Sequence, residues 1–208
     1  MIKRIAAFMT MGTAVAMLAV TASLAGNVLF EDKFTVMDSG WGLPSQSALV
    51  KDGKFILSPD VNQGISRINQ SAFLPDDMDV SVTMNYQKVG ADQYASGPVF
   101  WVNNDTEYYY FVVSPSGLFA VLRYVAGGRV LVPVAWQASD AVKKGEGSDN
   151  VLRAVTKGTQ GTVYINGQQV GTFTGQPPAG GSQIGLRASS GVNGVNVVAF
   201  SNLTVVQP

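Results

Sequence analysis

The sequence predicts an all-β sandwich formed by one domain, and three observations carry that reading. After the first 25 positions the apolar residues come in short runs rich in Val, Phe, Tyr and Thr. Gly, Asn, Asp, Ser and Pro separate the runs, and no stretch repeats at helical spacing. Two dipeptides, Asp52-Gly53 in "ALVKDGKFIL" and Asn166-Gly167 in "GTVYINGQQVGTF", each sit between apolar runs and tolerate the positive φ that two-residue hairpin turns demand.

The chain begins with Lys3 and Arg4, a long apolar run, and then Ser23-Leu24-Ala25, with small residues at the two positions a signal peptidase reads. Residues 1–25 therefore read as a secretory signal peptide, which sends the protein to the periplasm or beyond and leaves residues 26–208 as the domain. The run also approaches the roughly 20 residues that span a bilayer, but its Ala, Thr and Gly content and small-residue end favour cleavage over an anchor. No cysteine follows it, which excludes a lipid-modified lipoprotein. The signal holds two of the 14 basic residues and none of the 14 acidic ones, so the remainder carries a charge of −2. Nucleic acid, which needs a concentrated basic surface, is not an expected partner.

Along the domain, "LFEDKF" reads as the first strand and "ALVKDGKFIL" as a hairpin closed at Asp52-Gly53. "DVSVTM" follows, and then "GPVFWVNNDTEYYYFVV" as two strands joined at "NNDT". "SPSG", Ser114 to Gly117, turns into "LFAVLRY", and "AGGR" turns that strand into "VLVPVAW". "SDAVKKGEGSDN" is the most polar loop, with "SDAVKK" a candidate for one helical turn. A hairpin closes at Asn166-Gly167, "GQPPAGGS" is a Pro/Gly loop without regular structure, and "VAFSNLTV" is the last strand. No internal repeat or linker marks a second domain.

The composition excludes much chemistry. There is no Cys, so the core must hold the fold without staples. There is no His either, which removes Ser-His-Asp and Cys-His catalysis and the commonest zinc ligand. Carboxylate chemistry, a Lys nucleophile and an all-oxygen calcium site survive.

The order of "LFEDKF", "GWGL", "VKDGKFIL", "DVSVTM", "GPVFWVNNDTEYYYFVVSPSG", "NVLRAVTKGTQGTVYINGQQV", "GSQIGLRAS" and "VAFSNLTV" resembles the concanavalin A-like lectin/glucanase sandwich, and within it the 3-keto-disaccharide hydrolase-like domain. The resemblance implies a two-sheet antiparallel jelly roll whose first and last strands pair, and a carbohydrate-facing concave sheet. In some relatives it implies glycoside processing. This chain departs from the pattern in having Phe200-Ser201-Asn202 where relatives usually read Phe-Asp-Asn, and in lacking a His for a metal-assisted site. The expected function is therefore non-catalytic carbohydrate binding. The alternatives are a 3-keto-glycoside hydrolase or related enzyme, and an envelope structural or adhesion protein with a protein partner.

Glycoside hydrolysis needs two carboxylates some 5–10 Å apart. The candidate groups are Glu31 with Asp32, Asp76 with Asp77 and Asp79, Asp105 with Glu107, and Glu146 with Asp149; most read as solvated loop acids, and no catalytic residue is assigned. No cofactor is expected, although calcium is allowed if Asp32, Ser201 and Asn202 meet where the terminal strands pair. The competing reading is that Asp32 and Asn202 satisfy backbone groups at a strand corner. Sequons at Asn69, Asn104 and Asn202 read as chance matches in a chain with a bacterial type of signal.

The three tyrosines of "DTEYYYFVV" carry the remaining information. Side chains alternate along a strand, so Tyr109 shares a face with Phe111 and Val113 while Tyr108 and Tyr110 share the other. If "NNDT" and "SPSG" are four-residue loops, Phe100 opposes Tyr109 and then Leu122, while Trp101 opposes Tyr108 and then Arg123. An unpaired guanidinium is costly in a dry interior, so the face holding Arg123 is expected to be outside and the Tyr109 face to be the core. Trp101, Tyr108, Tyr110 and Arg123 then form an aromatic platform with a fork of donors, suited to a glycan's C–H faces and hydroxyls. Cover by the Ser58–Pro75 segment or by another protein are the competing uses of that face.

Overall fold

The computed structural model describes residues 26–90 and 94–208; the signal segment 1–25 lies outside them. Two antiparallel sheets face each other. One has eight strands, in the order β12 (Gln168–Thr174), β11 (Gln160–Ile165), β10 (Asp149–Lys157), β5 (Met78–Lys88), β14 (Val197–Val206), β3 (Lys54–Leu57) and β2 (Ala48–Lys51), with β1 (Val28–Asp32) also paired to β14. The other has six, in the order β4 (Gly64–Ile68), β13 (Gln183–Ser189), β6 (Gly97–Asn104), β7 (Glu107–Val113), β8 (Leu118–Val125) and β9 (Arg129–Ala138). A single 3-10 turn, Ser39–Trp41, precedes β2. "SDAVKK" forms turns and no helix.

Both expected hairpins close as read. Asp52 and Gly53 have φ of 52° and 70°, and Asn166 and Gly167 of 51° and 84°, the pair of left-handed conformations that matches strand twist. They join Lys51 to Lys54 and Ile165 to Gln168. The terminal strands also pair, Glu31 opposite Thr204 and Asp32 opposite Leu203.

The core follows from period-two alternation. On β5 the even residues Met78, Val80, Val82, Met84 and Tyr86 all point inward. On β14 the inward residues are Val198 and Phe200, then Leu203 and Val205. The change of parity comes from a bulge between Ser201 and Thr204 with Asn202 at φ 51°. One inserted residue in the left-handed region, which Asn tolerates, keeps both halves of the strand facing the core. Tyr86 also ties the sheets together, its buried hydroxyl donating to the Val113 carbonyl of β7 at 2.8 Å.

Two outcomes follow from this packing. Removing Val197–Pro208 takes away the strand held between β5 and β3 and opens a central edge; the truncated protein should show no cooperative melt by circular dichroism. Burial pushes the Tyr86 phenol well above its usual range. An unfolded tyrosine ionises near pH ~10, so Tyr86's contribution is intact below that pH and is lost as pH rises through and above it. Melting temperature should fall above pH ~10, less steeply in Tyr86→Phe.

Candidate functional site

On β7 the expected alternation holds. Tyr109, Phe111 and Val113 lie in the inter-sheet core, while Tyr108, Tyr110 and Val112 belong to a separate apolar cluster on the outer face of the six-stranded sheet. Phe100 opposes Tyr109 as counted.

The neighbouring strands depart from the count. "SPSG" does not set Val113 opposite Leu118: Ser114 N–H donates to the Leu118 carbonyl, Gly117 takes φ 98°, and Val113 pairs with Phe119. That one-residue slip exchanges every side chain of β8 between faces. Arg123 therefore opposes Tyr109, on the inner face, and Tyr124 opposes Tyr108. On β6, Trp101 adopts φ 47° within an irregularity between Phe100 and Asn104. A bulky residue in the left-handed region is uncommon, and here it turns the indole to the same side as Phe100. Trp101 is 2% exposed in the core, with its Nε1–H donating to the Asp76 carbonyl at 2.8 Å.

The expected platform is thus split. Tyr108 and Tyr110 are on the outer face but buried there, 6% and 5% exposed, because they pack on each other and on Val112, Leu122 and Tyr124 instead of standing open as a platform, whereas Trp101 and Arg123 are on the inner face. The Tyr109 face is the core even though it carries Arg123, the residue used to choose against it. Arg123 escapes the dry interior because it sits at the rim, its guanidinium 5.2 Å from the Tyr109 ring centroid and donating to the Gln176 side-chain carbonyl.

Arg187 takes the place that Arg123 was expected to fill. It opposes Ser66 across β13 and β4, and its Nη1 donates to Ser66 Oγ at 2.9 Å. Its guanidinium carbon lies 5.2 Å from the Tyr110 ring centroid. Ser66 Oγ is 3.3 Å from the Tyr108 hydroxyl. Tyr108 packs against Tyr124 at 5.4 Å and Tyr110 at 5.8 Å. Burial raises the Tyr110 phenol's pKa against the opposing pull of Arg187, with Tyr108 and Tyr124 adding to the rise. The phenol is a neutral hydrogen-bonding group at ordinary pH.

Two clefts meet at Tyr108. One, of about 310 Å³, runs between the Ser39–Gly42 turn, Ser66, Arg67, Gln70 and Asp105. The other, of about 220 Å³, is walled by Asn103, Glu107, Arg123 and the Gln176–Ala179 loop. The Ser58–Pro75 segment contributes the edge strand β4, walling the face on one side.

Asp32 holds the turn that forms one cleft wall. Its Oδ1 accepts from the Phe34 N–H, the backbone role that the strand-corner reading gave Asp32, and its Oδ2 accepts from the Trp41 indole, a side-chain bond that reading did not foresee, both at 2.7 Å. Among the described residues no three His, Cys, Asp or Glu side chains are gathered into a set that could hold a metal ion. Glu107 accepts from the Asn103 side chain at 2.8 Å.

No family model and no curated protein matches the chain. Solved structures do. The laminarinase catalytic domain from Thermotoga maritima aligns with a TM-score of 0.66 at 9% identity, over 88% of this chain and 98% of that one. A carbohydrate-binding module, CBM66 from Bacillus subtilis, aligns at 0.52 and 14%, over 79% and 89%. The exoplasmic/lumenal domain of VIP36, in Ca2+/Man-bound form, aligns at 0.57 and 15%, over 78% and 81%. The fold is that of the concanavalin A-like jelly rolls. At these identities the likeness is one of architecture.

Arg187, Ser66 and Tyr124 are residues gathered around Tyr108 and Tyr110 on this outer face that the sequence reading missed. Arg187 carried a usable signal, a charge in the middle of the apolar strand "QIGLRAS", the same signal that drew attention to Arg123. Trp101, for its part, belongs to the core, and Trp101→Ala should destabilise the protein by about 3–5 kcal/mol. Urea unfolding measures this; a shift below about 1 kcal/mol would put the indole outside the core.

Proposed function

We propose that this jelly roll is a non-catalytic carbohydrate-binding domain that engages its glycan on the outer face of the six-stranded sheet, at Tyr124 and Arg187, which the buried rings of Tyr108 and Tyr110 support from beneath. The observation that carries the reading is the guanidinium laid over the Tyr110 ring and bonded to Ser66, beside the half-buried Tyr124 of a cluster of tilted phenols, with clefts opening on both sides of Tyr108. Aromatic surface packs on the C–H faces of sugar rings while the guanidinium, hydroxyls and side-chain amides serve the ring hydroxyls. The structural neighbours include a carbohydrate-binding module, which supports the same reading. Residues 1–25 would deliver the domain to the periplasm or outside the cell.

Binding without hydrolysis is favoured by the carboxylate inventory. The strands of the six-stranded sheet contain one acidic residue, Glu107, and a two-carboxylate mechanism requires a partner for it across the scissile bond. The rival, a 3-keto-glycoside hydrolase or another glycan-processing enzyme, draws on the catalytic domains among the neighbours and would have to recruit Asp105 from the adjoining turn.

Tyr124 is half-exposed, so its loss separates binding from folding. On a glycan array and by calorimetry, Tyr124→Ala should weaken binding about tenfold or more with a melt close to that of the unaltered protein. Bound glycans and 3-keto-disaccharides should remain intact on prolonged incubation, and a chelator should leave affinity unchanged. Turnover that disappears in Glu107→Gln would establish the enzymatic reading instead.

A further inference from the structure

The arginines of the two sheets are treated differently. In the eight-stranded sheet, Arg153 forms a two-pronged pair with buried Asp79, at 2.7 and 2.6 Å. The strands of the six-stranded sheet carry Arg67, Arg123, Arg129 and Arg187 against the single Glu107, and of these Arg187 is the one that stands over the outer cluster, on Tyr110, while Arg123 sits at the rim of the inner face. Among the described residues none of these four makes an ion pair.

Arg187 is the telling case, being half-buried among Tyr110, Tyr108 and Ser66. A guanidinium has five N–H donors, and the Ser66 hydroxyl takes one of them. The edge strand leaves room for the rest of the group: a Cβ on Gly64 would stand 2.4 Å from Arg187 Nη2, so only glycine fits there without moving it. Tyr110 cannot supply the missing charge, because burial keeps its phenol protonated. A half-buried cation without a counter-ion gives up part of its hydration uncompensated, and a planar fork of donors is matched best by two anionic oxygens.

We infer that the counter-ion is the ligand's own, and that the glycan taken by this face is acidic, bearing a carboxylate or a sulfate group that seats on Arg187. The inference rests on the carbohydrate-binding reading and narrows its ligand class. Tyr124 takes the apolar sugar face while Arg187, held over the buried Tyr110 ring, takes the anion. Uronates and sulfated sugars present the same oxygen chemistry to the fork, so both belong in the test.

The experiment is an array of oligosaccharides in matched pairs, each uronate beside its methyl ester and each sulfated sugar beside its desulfated form, probed with the purified protein. Binding should be at least tenfold stronger to the acidic member of a pair, and the winning series identifies carboxylate or sulfate as the seat. The preference should weaken in 0.5 M salt, but by less than a fully exposed contact would lose, since Arg187 is half-buried. It should vanish in Arg187→Gln and return in part in Arg187→Lys, which restores charge without the fork. Equal binding of both members, or a preference that survives Arg187→Gln, overturns the inference and leaves carbohydrate binding standing. Silence on every glycan removes both. The matched-pair ratio is read on the unaltered protein, so it decides the matter even if a variant fails to fold.

Discussion

The seating of Tyr109 between the sheets is the constraint from which the rest of the site follows. Its ring packs on Phe100 at 6.0 Å, on Trp101 at 5.2 Å and on Phe173 of the opposite sheet at 5.9 Å. Its hydroxyl accepts the Gln176 N–H at 2.9 Å. With Tyr109 turned inward, the pleat sends Tyr108 and Tyr110 outward. The loop carrying Gln176 is drawn over the same ring, because Gly175 lies so close that a Cβ there would stand 2.6 Å from the Trp101 indole. One core contact thus fixes an outer aromatic face and one wall of an adjoining cleft.

The two sheets differ in how their arginines are paired. In the eight-stranded sheet the buried charge is neutralised within the protein, by Arg153 on Asp79, and Thr156 closes the Asp76 and Met78 backbone. Both sheets lay guanidinium groups over aromatic rings, Arg153 over Tyr164 in the one and Arg123 over Tyr109 and Arg187 over Tyr110 in the other, but Arg153 alone of these three has a carboxylate partner. Such contacts hold a guanidinium in place while leaving most of its donors unspent. Arg187 in the six-stranded sheet keeps donors for a partner on the proposed binding face, where Arg153 spends its own on Asp79.

Much of the fold was legible in the chain. The Asp52-Gly53 and Asn166-Gly167 turns were readable because few residues accept the left-handed backbone they need, and the alternation on β7 was readable because the period is two. The pairing of the terminal strands came from the resemblance. The site was only half legible, and the errors have physical causes. On β8 the loop length was misjudged by one residue, since the Ser114 and Leu118 backbones bond across the turn; that exchanged Arg123 for Tyr124 on the outer face. On β6 the left-handed Trp101 broke the alternation where nothing local in the sequence announces it.

By itself, then, the sequence determined local matters: where the chain turns, which segments are strands, and that the face shared by Tyr108 and Tyr110 is opposite to that of Tyr109. Those follow from backbone sterics and the pleat, which act over a few residues. Only the tertiary structure decided which arginine stands over those tyrosines. Arg187 reaches Tyr110 because β13 pairs with β6 across a gap of some eighty residues, and such a meeting is set by strand order and register, quantities that belong to the whole sheet.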